Sequence, residues 1–294
     1  MMIKLYVLLF HFFMGTFLSG GFLIAMSSFF KVSWSQKLRD LAPLWKKLAP
    51  FMVVLFIPLI IWARTLVPIT HEQEHKALYF SLWFVILRSA LLSGAIIYGA
   101  RVLLTKPVIA MVFYFFTGTF VAIDWGMSLE YHWTSNIYGL IYLVNFSLVF
   151  FAGMLFFRTK DSTEAERKDL IHVLVTLVIM WGYLHYAQFI ILWMGNKPSE
   201  VKFYLVRNYP FGIMTAILLV KLVPVLGIAF FPKKKSQVEV HRILCALVVC
   251  GGWLELNWLL VPPLMIGHLT ALAGSGLLIA VAGAGLGAMV RRWA

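Results

Sequence analysis

Residues 107–133, PVIAMVFYFFTGTFVAIDWGMSLEYHW, stay uncharged for seventeen positions and then place Asp124, Glu130 and His132 among Trp125, Tyr131 and Trp133. The uncharged part shows neither the alternation of a half-buried strand nor the one-sided spacing of a soluble amphipathic helix. A hydrocarbon layer of about 30 Å takes roughly 20 apolar residues in helical form and tolerates no unpaired backbone group. The stretch therefore reads as a spanning helix near 107–124 that ends in a polar, aromatic corner at a membrane surface. Tryptophan and tyrosine suit that level because one end of each ring is apolar and the other polar.

The same reading repeats along the chain. Of its 294 residues 62% are hydrophobic and 13% charged, and the apolar ones fall into nine runs, near 5–30, 50–66, 78–103, 107–124, 136–157, 170–194, 210–231, 242–261 and 268–289. The expected fold is all-α: a polytopic integral membrane protein of about nine transmembrane helices, forming one transmembrane domain over 1–294. Lys4 ahead of the first run resembles a signal peptide, but the run is about twice the usual apolar length of 7–15 residues and reads as a span. Residues 31–49 alternate Trp34, Leu38, Leu41 and Trp45 with basic residues, which suits an amphipathic segment on the inner surface or an ordinary loop. Gly283 and Gly287 in the last run allow a partner helix to approach closely. Cys245 and Cys250 share one predicted helix, too few and too local for a disulfide framework or an iron–sulfur cluster.

The net charge of +13 does not indicate nucleic acid, because the bases are sorted by loop. With nine spans and the N-terminus outside, seventeen Lys/Arg fall on inner segments and six on outer ones. That asymmetry predicts an outer N-terminus and an inner C-terminus. It puts the 124–133 corner outside.

Two motifs carry chemistry that the context weakens. His71-Glu72-Gln73-Glu74-His75 matches the zinc pattern H-E-x-x-H, but it sits in a short loop with no evident third ligand, so a polar loop is the better reading. His172 and His185 are thirteen residues apart on one helix, about 20 Å, but no second helix offers the matching pair a di-haem protein needs. His11 stands alone on its helix and His268 lies at a helix start. No haem, iron–sulfur or metal ligation is expected in this chain.

Ionisable groups inside spans point further, because a charge at mid-membrane is costly and faces a partner or water. Arg88, His185 and Lys221, with His11 and Glu255 shallower, are expected at similar depth, as one layer. Trp181, His185 and Gln188 share one face of their helix, with Tyr183 and Tyr186 on another. Two readings stay open: ion pairs such as Lys221 with Glu255 that fasten helices, or a proton path leading to Asp124, Glu130 and His132 at the outer mouth. Carboxylates and imidazole beside aromatic rings also suit a quinol site, where a base accepts protons as electrons leave.

Residues 124–139, DWGMSLEYHWTSNIYG, resemble the signature D-W-x-M-S-L-x-P-H-W-x-S-x-x-[FY]-G of the ActF-type membrane subunit of alternative complex III, a bacterial quinol:cytochrome c oxidoreductase. A second block, Trp181-Gly182-Tyr183, Gln188, Trp193, Asn196, Pro198, Glu200 and Arg207, is similar to that family's W-x-Y…Q…W-x-x-N-x-P-x-E…R. Weaker similarities are His75-Lys76…Tyr79 with Arg88, and Glu255…Trp258…Pro262. The resemblance implies a fold of the NrfD-like, polysulfide-reductase superfamily, with paired four-helix bundles. It implies a second NrfD-like membrane subunit alongside, iron–sulfur and haem c subunits on the outer face, and a quinone environment with a proton route. Tyr131 replaces the family's proline, and Gly252 stands where the family has an arginine. A structural anchor of such a complex and a secondary transporter are the alternative functions.

Overall fold

The computed structural model of the chain describes residues 2–66, 78, 79, 81–130, 133–207, 213–231, 237–264 and 276. The histidine pattern at 71–75, Tyr131, His132, His268 and all of the ninth apolar run except Gly276 fall outside them.

Every regular element among the described residues is helical. Seven helices are long and apolar enough to cross a membrane: Met2–Phe29, Trp34–Ile61, Leu82–Arg101, Pro107–Leu129, Tyr138–Asp161, Glu164–Gly195 and Val238–Leu264. A shorter apolar helix, Met214–Ile228, takes the place of the expected seventh run. The second span starts earlier than the expected 50. Leu38, Leu41, Trp45 and Ala49 are buried against neighbouring helices, and Lys31, Lys46 and Lys47 are exposed. The Trp45 indole stacks on Phe17 and donates to the Phe17 carbonyl at 2.9 Å.

We number the helices α1 Met2–Met26, α2 Ser33–Arg39, α3 Ala42–Val54, α4 Phe56–Ile61, α5 Ala63–Leu66, α6 Leu82–Arg101, α7 Pro107–Trp125, α8 Tyr138–Arg158, α9 Glu164–Gly195, α10 Pro198–Arg207, α11 Ile213–Ile217, α12 Val223–Ala229 and α13 Val238–Leu264. Local chemistry sets several boundaries. α3 gives way to α4 four residues before Pro58, whose ring cannot accept the carbonyl of Val54 behind it. α9 opens on a capping box in which Thr163 and Glu166 satisfy each other's backbone N–H, and closes on Asn196 in the left-handed region at φ 43°. Between α11 and α12, residues Leu218–Leu222 form a π-helical turn just ahead of Pro224, which has no N–H to continue the α-helical ladder.

The helices pack as two groups. α1, α3, α6 and α7 contact one another, and α8 packs against α9 and α13, which enclose α11, the π-turn and α12. α1 and α7 join the groups by lying against α8. Small residues permit this closeness: a side chain at Gly21 would come within 2.5 Å of the Tyr114 ring, and one at Gly15 would strike Phe146.

Candidate functional site

The densest polar cluster lies in the second group of helices. Glu255 of α13 is sealed from the surface and accepts three bonds: from Lys221 Nζ at 2.7 Å, from Trp181 Nε1 at 2.7 Å and from His185 Nε2 at 2.8 Å. Lys221 sits in the π-turn, also sealed, and donates to Asn145 Oδ1 of α8 at 2.6 Å. Its ammonium lies 4.3 Å from the centre of the Trp181 ring. A buried carboxylate is tolerated only when paired and bonded, and here one oxygen takes two donors and the other takes imidazole.

Gly252 stands where the ActF-type signature, as an expectation, would place an arginine. A side chain there would strike Val149, so no arginine fits, and the Gly252 carbonyl accepts from Asn145 Nδ2 at 3.3 Å. The cation facing Glu255 comes instead from Lys221.

A cleft of about 650 Å³ adjoins the cluster. His185, Trp181, Phe189, Tyr204, Arg207 and Trp258 line it, with apolar residues of α11, the π-turn and α12 opposite. Burial pushes the Tyr204 phenol up to about 12, so its hydroxyl keeps its proton. At the rim Arg207 bonds Glu130 and the Leu259 carbonyl, the latter at 2.9 Å, with its guanidinium 3.6 Å from the Phe203 ring centre. Nearby, Ser135 Oγ bonds Gln188 Oε1 at 2.5 Å. His185 and Arg207 thus both line the cleft, and Arg207 is paired with Glu130.

Arg88 and Asp124 form a separate cluster in the first group. Arg88 Nε donates to Asp124 Oδ2 at 3.0 Å, and the Tyr79 hydroxyl bonds Oδ1. The Arg88 guanidinium lies over the Tyr79 ring at 3.8 Å and donates to the Tyr79 carbonyl at 2.6 Å. Asp124 is buried, and Ser128 Oγ bonds its backbone carbonyl at 2.5 Å, turning the chain out of α7. His11 also supports this corner, contacting the Trp125 carbonyl at 2.8 Å and the Tyr142 hydroxyl at 3.1 Å.

The sequence expected Arg88, His185 and Lys221 in one layer. The structure brings His185, Lys221 and Glu255 together and puts Arg88 with Asp124, because α6 and α7 belong to the other group. Asp124 and Glu130 likewise separate, each to its own arginine. Trp181, His185 and Gln188 are buried while Tyr183 and Tyr186 are exposed, as the helical spacing of α9 requires. Asn145 escaped notice, although a lone amide in a helix as apolar as α8 was the available signal. His132 lies outside the described residues.

Searches against family models and against curated proteins return no match for the chain.

Proposed function

We propose that this chain is an integral membrane subunit of a bacterial quinol-oxidising respiratory complex, holding no redox centre of its own. In this reading it has about nine spans in NrfD-like paired bundles, an outer N-terminus and an inner C-terminus. Its partners are a second NrfD-like subunit and iron–sulfur and haem c subunits on the outer face. The Lys221–Glu255–His185 cluster beside the aromatic cleft carries the reading. It is a buried base–acid–cation unit next to a space able to admit an apolar ring, and Arg207, which is paired with Glu130, also lines that space. In this reading His185 and Glu255 exchange protons, Lys221 holds the carboxylate charge, and Gln188, bonded to Ser135, belongs to the same polar face of α9. Asp124, held by Arg88 and Tyr79, is a second acid at the end of α7, and His132 follows eight residues later in the sequence. The resemblance of residues 124–139 and 181–207 to the ActF-type signature supplies the redox context.

The test is quinol-driven turnover of the assembled complex carrying Glu255→Gln or His185→Gln. Loss of turnover at unchanged subunit content supports a proton role. Unchanged turnover would leave the cluster as a fastening between helices, the role of a structural anchor. The π-turn beside Pro224 gives a transporter reading one supporting feature, since transporters bind on broken helices; solute uptake into vesicles without quinol would favour it.

A further inference from the structure

We infer that the end of the bundle opposite Glu130 binds a phosphate-type oxyanion at Arg158, with an anionic lipid headgroup as the occupant its position favours. Arg158 is the last residue of α8 and only 8% exposed, yet its Nε and Nη2 are sealed from the surface with no hydrogen-bond partner. A guanidinium keeps its charge and presents a planar set of N–H donors, so an unmatched one below the surface is a standing cost that an anion would relieve. The helix end contributes only a favourable dipole, which attracts a cation without forming bonds to it.

Among the described residues the surroundings add positive charge, and no acid pairs with Arg158. Lys37 Nζ bonds the Asp161 carbonyl at 3.0 Å, Ser162 Oγ at 2.7 Å and Glu166 Oε2 at 2.9 Å, so the nearby carboxylate of Glu166 already serves Lys37. Arg167 bonds the Ser162 carbonyl, and Ser162 Oγ bonds the Arg158 carbonyl at 2.9 Å. Two residues before Arg158, the Phe156 ring lies under Arg242 at 4.8 Å. Basic sites among helix ends at a membrane surface are where phosphate headgroups are held, and the planar fork of arginine matches two phosphate oxygens at once.

The test uses the purified, delipidated full chain in detergent, with phosphatidylglycerol, phosphatidylcholine or inorganic phosphate added. Melting is followed, and native mass spectrometry counts retained lipid. Phosphatidylglycerol is expected to raise the melting temperature and remain bound where phosphatidylcholine does not. Arg158→Met should weaken retention by about tenfold, the loss of one charge-assisted paired contact. Arg158→Lys, which keeps the charge but not the fork, should fold and retain an intermediate amount. An equal, Arg158-dependent effect of inorganic phosphate supports the oxyanion site and assigns it to a free anion. Wild-type chain that responds alike to all three additions overturns the inference without any variant, as does undiminished retention in Arg158→Met.

Discussion

Lys221 Nζ lies 2.7 Å from Glu255 Oε2, and neither side chain is exposed. One comes from the π-turn between α11 and α12 and the other from the middle of α13, so the pair joins these two elements in the sealed interior. Removing one partner of a buried pair leaves a bare charge and costs about 3–5 kcal/mol. Glu255→Gln alone should therefore destabilise the chain by about 3 kcal/mol, and Lys221→Met with Glu255→Gln should recover most of the loss. Thermal unfolding of both single variants and the double variant measures the coupling, and additive losses would mean the two charges do not depend on each other.

His185→Gln separates fastening from proton transfer. The glutamine amide can still donate to Glu255 but cannot carry a proton. Turnover is expected to fall by about a hundredfold, the usual scale for losing a positioned base, with melting nearly unchanged. Full turnover would show that the imidazole only bonds.

Asp124 tests the second cluster. Asp124→Asn keeps a side-chain oxygen for Tyr79 or Arg88 but removes the charge that Arg88 faces at 3.0 Å. Quinol-driven turnover per assembled complex is expected to drop by about tenfold. Unaltered turnover with lowered abundance would confine Asp124 to holding α6 against α7.

Close packing around the site is tested by two glycines. Gly252→Ala forces a methyl group into Val149 and should cost about 1–3 kcal/mol, as overpacking does. Gly153→Ala on α8 meets nothing within 4 Å and should be neutral or slightly stabilising, by up to about 1 kcal/mol. Melting temperatures of the two variants give the comparison.

Most of the helical plan was legible because apolar runs of spanning length have no other stable form in lipid. The second candidate span, Trp34–Ile61, extends further toward the N-terminus than the apolar run near 50–66, because Lys37, Arg39, Lys46 and Lys47 interrupt the apolar sequence ahead of that run. The site was legible residue by residue but not as a constellation. Depth along each helix identified Arg88, His185, Lys221 and Glu255, whereas their grouping depends on which helices are neighbours, and no count along one chain contains that. The Lys221–Glu255 pair was among the readings the sequence left open, whereas the addition of His185, Trp181 and Asn145 to it was not.

The central claim, membership of a quinol-oxidising membrane assembly, is tested most directly by isolating this chain through an affinity tag from its native membrane in mild detergent and assaying quinol oxidation. The account predicts that a second related membrane subunit, an iron–sulfur subunit and haem c come with it, and that the isolated assembly passes electrons from quinol to an acceptor. A chain that purifies alone, with no haem and no quinol oxidation, would contradict it.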